Sequence, residues 1–216
     1  MADREPTRVG DLTGDAGVTL AGFEANSPGV AGGAPSADPL AEAMAAYQRG
    51  EMESFERLWT ALSGEVRGYL RALSRDAVVA DDLLQETFLQ LHRVRHTYQP
   101  PRPVRPWVYA IARNVFLMHR RTAFRRSRHE SVADDELPEI ATPASADALG
   151  DRDAVRRALA RLSASRREPV VLHHILGLSF KEVGAVLGCS AGAAKVRAFR
   201  GLEELRAIMS ASGGRP

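Results

Sequence analysis

Arginines cluster in one short stretch of this sequence, where they could bind the phosphates of a nucleic acid. Residues 113–128 contain six arginines and no aspartate or glutamate: Arg113, Arg120, Arg121, Arg125, Arg126 and Arg128. Aromatic residues that could stack on unpaired bases lie nearby, namely Trp107, Tyr109, Phe116 and Phe124. An equally open alternative is that the aromatic rings belong to the core and the arginines are solvated.

A second candidate lies in residues 179–205, which have the pattern of two short helices joined by a tight turn. Ser179 and Glu182 have the spacing of a capping box, and Gly188 stands where a helix-ending residue takes positive φ. Ser190 can cap the next helix. This pattern predicts a helix-turn-helix, whose second helix can lie in the major groove of DNA. The alternative is an ordinary helical hairpin with a solvated basic face.

The second helix of this hairpin divides into two predicted sides. The spacing of its large apolar residues places Val196, Phe199, Leu202 and Leu205 inward. The basic residues Lys195, Arg197 and Arg200 then point outward, where DNA would be.

Motifs of catalysis are not found, so no catalytic residue, cofactor or metal ligand is predicted. The sequence has no phosphate-cradling glycine loop, no HExxH, no paired metal ligands and no nucleophile elbow. Adjacent residues on a helix point in different directions, so His173 and His174 are not expected to share a metal. Of the function classes considered, an enzyme has the least support.

Composition indicates a protein of the reducing cytoplasm. The 216 residues carry a formal net charge of +2, and Cys189 is the only cysteine, so no internal disulfide can form. No apolar run approaches the roughly 20 residues that span a bilayer, and no signal-peptide pattern begins the chain. We therefore expect cytoplasmic localisation and no membrane insertion.

The elements that would position these residues predict an all-α fold. We expect two small helical domains rather than one core, joined by a flexible acidic linker, with a helix-turn-helix in the C-terminal domain. The predicted boundaries are a disordered tail at 1–40, a first domain at 41–126, a linker at 127–151, a second domain at 152–210 and a short tail at 211–216.

Three local features set the expected helix ends. Asp82 and Gln85 have capping-box spacing, which predicts a helix start near residue 81. Four prolines make residues 97–106 a stiff loop before a helix that begins at Trp107. Pro169 is comfortable only in a first turn, so the helix before the hairpin should begin close to it.

This order of parts resembles one family, the extracytoplasmic-function (ECF) subgroup of bacterial RNA polymerase sigma factors of the sigma-70 class. The matching stretches are DDLLQETFLQLHR at 81–93, RPWVYAIARN at 105–114, and residues 162–205. The resemblance implies that helix 81–93 docks on core RNA polymerase. Its implied contact residues are Asp81, Asp82, Gln85, Glu86 and Phe88.

The resemblance also implies two contacts with promoter DNA. The loop 97–106 and the following helix would recognise and melt the −10 element, through Trp107, Tyr109, Arg113, Asn114, Arg120 and Arg121. The helix-turn-helix would read the −35 element as a duplex, through Ser190, Ala193, Lys195, Arg197 and Arg200.

Three positions depart from the family pattern. The recognition helix usually begins with a Thr-Val-Lys-Ser-Arg-like run, and here residues 193–197 read Ala-Ala-Lys-Val-Arg, so a hydroxyl contact is lost. Met118 stands where an acidic residue is common, and Pro169 replaces a usual β-branched residue.

The implied function is a promoter-specificity subunit that binds core polymerase, recognises the −35 and −10 elements and initiates transcription. Its implied partners are core RNA polymerase, promoter DNA and an anti-sigma factor, and outside the holoenzyme it would be a monomer. The alternative is a free-standing helix-turn-helix regulator. Such a regulator would need a ligand, receiver or dimerisation domain, which residues 41–126 do not resemble.

Overall fold

The computed structural model describes residues 38–130 and 151–213, and within those ranges it contains helices and no strands. The expectation of an all-α fold is confirmed. Most of the predicted N-terminal tail, most of the acidic linker and the end of the C-terminal tail lie outside the described residues. Within the described part of the chain, no helix combines the length and the hydrophobicity that crossing a membrane requires.

Between residues 38 and 130, the first helical unit has four helices. They are α1 (Pro39–Gln48), α2 (Glu53–Ser74), α3 (Ala77–Val94) and α4 (Val104–Glu130), with a 3-10 turn at Arg95–Thr97. Asp38 caps α1, and Pro39 occupies its first turn, where no N–H is needed. Gly50 takes a φ of 98° between α1 and α2, which only glycine adopts without strain.

Two helix starts differ from the prediction. Helix α3 begins at Ala77, because Asp76 is its N-cap and accepts hydrogen bonds from the N–H groups of Val78 at 2.8 Å and Val79 at 3.2 Å. Asp82 therefore lies inside the helix. Helix α4 begins at Val104, three residues before the predicted Trp107. Pro106 is tolerated there because it falls in the first turn, whose N–H groups have no helical acceptor.

The second unit begins with α5 (Asp151–Arg161) and α6 (Ala164–Val170), which is followed by a π-helical segment at Val171–Ile175. Helices α7 (Phe180–Leu187) and α8 (Ala191–Gly213) complete it. The expectation that a helix begins close to Pro169 is wrong, since α6 begins at Ala164 with Ser163 as N-cap and holds Pro169 in its interior. Pro169 has no N–H, so it donates no helical hydrogen bond to the carbonyl oxygen of Ser165, four residues earlier. Ser165 is exposed in the first turn of α6.

The two units pack against each other. Helix α4 lies along α7, and α2 lies against α5, α6 and the π-helical segment. Buried apolar side chains of both units form one continuous cluster, in which Tyr69, Trp107, Leu162 and Leu172 are almost completely enclosed. The two expected helical units are both present, and the buried apolar side chains where they meet join the two into one cluster.

Candidate nucleic-acid interface

The turn between α7 and α8 has the predicted capping. The Ser179 hydroxyl accepts a hydrogen bond from Glu182 N–H at 3.3 Å, and the Glu182 carboxylate accepts one from Ser179 N–H at 2.8 Å. Gly188 ends α7 at φ 67° and ψ 39°, in the left-handed region. The Ser190 hydroxyl accepts from Ala193 N–H at 3.1 Å and so caps α8. These local interactions confirm the helix-turn-helix that the sequence predicts.

Glycine allows the two helices of the motif to approach closely. A Cβ atom on Gly184 would lie 2.6 Å from the backbone oxygen of Cys189. Any larger residue there would displace the turn, and with it the angle at which α8 is held.

Helix α8 matches the prediction in its second half, where Leu205 is buried and Leu202 packs half-buried against the core, and differs from it in its first half. Its buried side is made of small residues and one leucine, spaced at helical intervals: Ala194, Ala198, Gly201 and Leu205. Val196 and Phe199, predicted to point inward, are 50% and 56% exposed. The small residues face inward because α6 lies very close, so that a Cβ on Gly201 would be 2.7 Å from the backbone oxygen of Arg166.

The exposed side of α8 therefore combines positive charge with apolar surface. Lys195, Arg197 and Arg200 are exposed there together with Val196 and Phe199, while Ala193 is half-buried. Basic side chains bind phosphates and guanine edges, and apolar side chains contact the methyl group of thymine. Sequence reasoning missed Val196 and Phe199. The signal that would have found them is the spacing of Ala194, Ala198 and Gly201 on one helical side.

Helix α4 carries a second basic surface. Arg121 and Arg125 are exposed, and the Arg120 guanidinium lies 5.8 Å from the centre of the Phe116 ring. Met118 lies on the same helix with its side chain 44% exposed. The side chains of Arg126 and Arg128 lie outside the described residues. This surface can bind a phosphate backbone along the second half of the helix.

Arg113 and Asn114 are placed differently from the rest of the basic surface, because both are half-buried. The Arg113 Nε donates to Glu168 Oε2 of α6 at 2.9 Å. This ion pair joins the two units, and its side chains are only 24% and 8% exposed.

Trp107 and Tyr109 are buried, so neither offers a ring face to DNA in this arrangement. The Trp107 ring packs against Tyr98 at a centroid distance of 5.4 Å, and the Tyr109 ring meets Tyr69 edge-on, also at 5.4 Å. The direct DNA contact predicted for these two residues is corrected to a structural role. They hold the start of α4 from inside the core.

Glu65 of α2 fixes the position of the first turn of α4. Its carboxylate accepts hydrogen bonds from Arg105 Nε at 3.0 Å, Arg105 Nη2 at 3.1 Å and the Tyr109 hydroxyl at 3.0 Å. The hydrogen bond from Arg105 lowers the pKa of Glu65 below its usual value, against the opposing effect of burial. Burial raises the pKa of Tyr109 far above its usual value, so this hydroxyl stays a donor.

One side of α3 presents the residues predicted to contact a protein partner. Asp82, Gln85 and Glu86 are exposed, and Val78 and Leu89 lie on the same helical side with 71% and 53% exposure. We call these five residues the α3 face.

Two further residues predicted for this contact have partners within the unit. Phe88 is buried against Trp59, at a centroid distance of 4.5 Å, so the predicted contact through Phe88 is corrected to a role in the core. Asp81 is paired with Arg67, whose hydrogen bonds lower the pKa of the aspartate. The apolar part of this face is therefore supplied by Val78 and Leu89.

Metal ligands do not cluster in the described residues, where no group of three His, Cys, Asp or Glu side chains could hold an ion. His173 has its own partners. Its Nδ1 lies 2.7 Å from the Leu178 carbonyl oxygen, and its ring stacks on Phe180 at 3.8 Å.

Family models match both units of the chain. The model described as sigma-70 region 2 matches residues 58–126, and the model described as sigma-70, region 4, matches residues 152–205. Together these matches cover more than half of the 216 residues.

Named relatives agree with the family models. RNA polymerase sigma factor CarQ of Myxococcus xanthus is 39% identical over 171 residues, which cover 77% of this chain and 95% of that relative. ECF RNA polymerase sigma factor SigL of Mycobacterium tuberculosis is 32% identical over 146 residues, 67% of this chain and 82% of that relative.

Solved structures share the fold. CnrH in complex with the cytosolic domain of CnrY matches with a TM-score of 0.61 and 26% identity, over 81% of this chain and 99% of that one. The sigma factor RpoE of Bartonella quintana, in complex with the anti-sigma factor NepR, matches with a TM-score of 0.62 over 76% of this chain and 99% of that one. At 24% identity the second likeness concerns the fold alone.

Proposed function

This chain belongs to the ECF subfamily of the sigma-70 family of RNA polymerase sigma factors, and from that membership we propose how its two helical units divide the recognition of a promoter. It is a promoter-specificity subunit, which binds core polymerase and directs initiation to promoter DNA. A free-standing regulator is disfavoured, because the first unit matches sigma-70 region 2 and not a ligand or receiver domain. The observation that carries the proposal is that both sigma regions are present in order, each with a basic or polar surface.

Core polymerase binds the α3 face. Asp82, Gln85 and Glu86 supply the polar contacts, and Leu89 and Val78 supply apolar area that is exposed in the free chain. Central apolar side chains surrounded by polar ones are the usual anatomy of a protein interface. Asp81 holds Arg67 and contributes to the face through that pair.

The first half of the promoter contact belongs to α4. Arg120 and Arg121 bind phosphates of the −10 region, and Asn114 and Arg113 lie one to two turns earlier, where a base that has left the stack would be held. Trp107 and Tyr109 support this surface from the core and do not stack on DNA directly.

The second half belongs to α8, whose first turns enter the major groove of the −35 element. Lys195, Arg197 and Arg200 bind phosphates or guanine edges, and Ser190 holds the helix start through its cap. Val196 and Phe199 add apolar contact with thymine methyl groups. The apolar side chains give this helix a preference for thymine that its arginines alone would not provide.

An anti-sigma protein is the proposed regulatory partner. The proposal is supported by the likeness of this fold to CnrH, which was solved in complex with the cytosolic domain of CnrY. We also propose that the chain is a monomer outside the holoenzyme and acts in the cytoplasm, since core polymerase and promoter DNA are found there.

Run-off transcription with purified core polymerase tests the function. Adding the chain should give selective initiation on some fragments of its own genome, and Arg197→Ala should lower that initiation at least about tenfold, the cost of losing one good base contact. The matched control is Arg157→Ala, which removes an exposed arginine from α5. If the wild-type chain forms no complex with core and initiates nowhere, the function is refuted.

The α3 face has its own variant. Leu89→Asp should abolish co-elution with core polymerase while the chain stays folded, because Leu89 is exposed. Met52→Asp, which places the same charge at another exposed apolar residue, should leave co-elution unchanged. Equal binding by both variants would refute this placement of the docking surface.

A further inference from the structure

We propose that Gln48 is a positioning residue for −10 recognition, which holds the start of the proline-rich loop 97–106 where that loop meets DNA. The inference rests on the proposed contact between the first unit and the −10 element. It adds a residue that acts through the loop and not by touching DNA itself. Gln48 is the last residue of α1, a helix that lies outside both proposed contact surfaces of the first unit.

The side-chain amide of Gln48 bonds to two backbone carbonyl groups at the start of the loop. Its Nε2 donates to the Arg95 oxygen at 2.7 Å and to the Tyr98 oxygen at 2.8 Å. A side-chain amide has two N–H donors, so both are used by these two oxygens. They belong to the first residue of the 3-10 turn and to the residue that follows the turn. Gln48 therefore bridges the two ends of this turn.

Tyr47 fixes the end of α1 relative to the same turn. Its hydroxyl is hydrogen-bonded to Nδ1 of His92 near the end of α3, and the Arg95 guanidinium lies 5.8 Å from the centre of its ring. The Tyr47 side chain is almost completely buried. Gln48, the next residue, is half-buried and so reaches the turn from a fixed helix end. Because covered carbonyl groups that lose a donor are destabilised, the turn depends on this amide.

Beyond the turn, the loop is anchored at Tyr98 and exposed over most of its length. The Tyr98 ring is buried against Trp107, and its hydroxyl donates to the Arg102 oxygen. The exposed residues between Tyr98 and the start of α4 are Gln99, Pro100, Pro101 and Pro103. Proline rings fix the φ angle, so the path of the exposed part follows from the position and direction of Tyr98. A shift of the turn would therefore move the surface that the loop offers to a base.

A small displacement of the loop affects base selection more than phosphate binding. Groups that read a base must stay within about 0.5 Å of their productive positions, and the residues behind them provide that precision. The attraction between an arginine and a phosphate falls only inversely with distance, so it tolerates such a shift. Loss of the Gln48 bonds should therefore relax selection at the −10 element, while the phosphate contacts of α4 and the −35 contact of α8 remain.

Gln48→Glu tests the link between the amide and the turn. The two side chains have nearly the same shape, but a carboxylate donates no hydrogen bond and sets its charge against both carbonyl oxygens. Hydrogen-exchange mass spectrometry of the free chain should show exchange about tenfold faster at the amides of residues 96–99, since the loss of a hydrogen bond makes local opening easier. Gln90→Glu makes the same change at a half-buried residue of α3 and should leave that exchange unchanged.

Run-off transcription by the holoenzyme measures base selection. The template is a fragment on which the wild type initiates, with both elements located from the mapped start site. Separate templates carry the most costly single-base substitution in each element, which typically lowers initiation by roughly 5- to 150-fold. Gln48→Glu should reduce this discrimination at least about threefold at the −10 element and leave it unchanged at the −35 element. A substitution that only destabilises the chain lowers initiation on all templates alike, so neither ratio moves.

The outcomes separate this inference from the proposed function. Unchanged exchange at residues 96–99, an unchanged −10 ratio, or equal changes in Gln90→Glu overturn the inference while the sigma function stands. Equal falls of both ratios also overturn it, because the effect would not be confined to the loop. If the wild type initiates on no fragment, the sigma function is refuted and this inference with it. If circular dichroism shows that Gln48→Glu is unfolded, Gln48→Met replaces it, with changes in the same direction and smaller size.

Discussion

Single side chains in this chain often serve two helices at once, and Glu65 shows how. Its carboxylate accepts three hydrogen bonds from Arg105 and Tyr109, which lie at the start of α4, while Glu65 itself belongs to α2. The start of α4 is thereby held on the neighbouring helix. This matters for the proposed function because Arg113 and Asn114, which we propose lie where a flipped base is held, follow Tyr109 within two turns.

The lowered pKa of Glu65 predicts a pH dependence. A carboxylate whose pKa is lower in the folded state stabilises the fold above its unfolded pKa, near 4.5, and loses that contribution as the pH falls through the folded pKa. Glu65→Gln should therefore cost up to about 1 kcal/mol at pH 7, because the pair is partly exposed. The difference between variant and wild type should shrink at acid pH.

Urea unfolding at a series of pH values measures this difference. Glu56→Gln, which removes an exposed carboxylate from the same helix, is the matched control and should show no comparable pH-dependent difference. A cost for Glu65→Gln that stays constant down to about pH 3 would contradict the assigned cause.

Helices meet at their smallest residues in the second unit. Ala194, Ala198 and Gly201 let α8 lie against its neighbours, and Gly201 brings it within contact of the α6 backbone. The consequence is that Val196 and Phe199 are left on the outer side, which we propose contacts DNA. The packing of small residues on the inner side of α8 thus determines which side chains are exposed on its outer side.

Gly201→Ala should destabilise the chain by about 1–3 kcal/mol, because a Cβ there would lie 2.7 Å from backbone and side-chain atoms of α6. Alanine is otherwise the better helix former by about 1 kcal/mol. Gly68→Ala on α2 isolates that gain, since nothing lies within 4 Å of its added Cβ, and it should stabilise by up to about 1 kcal/mol. Chemical denaturation compares the two. Stabilisation by both substitutions would show that α6 and α8 are not in close contact.

The continuous core has a consequence for the chain as a unit of folding. Buried side chains of α2 and α4 share one cluster with those of α5 to α8, so the loss of either unit exposes apolar surface of the other. Proteins of this kind unfold in one step when the shared surface is large, and in two when the units are independent.

Calorimetry of the full chain should therefore show one transition, with equal calorimetric and van't Hoff enthalpies. Glu168→Arg, which sets like charges against each other at the contact between the units, should split or broaden this transition. Two well-separated transitions in the wild type would contradict a shared core. The comparison requires no knowledge of the promoter.

Local features of this chain were readable from residue order alone. The Ser179–Glu182 capping box, the left-handed Gly188 and the Ser190 cap all involve residues within four positions of each other, and the structure confirms each one. The all-α fold and the family resemblance rest on the same short-range patterns. Such interactions are set by neighbouring residue types, so the sequence is enough to predict them.

The remaining features of the fold and the candidate site depend on contacts between residues that are far apart in the sequence. Which side of α8 is buried depends on how near α6 comes to Gly201, and whether Arg113 is free for DNA depends on Glu168, which lies 55 positions away. The family resemblance implies contacts with polymerase or DNA for Phe88, Trp107 and Tyr109, yet the packing of α2, α3 and α4 encloses them. No local pattern encodes these distances, because they arise only when helices that are far apart in the chain come together.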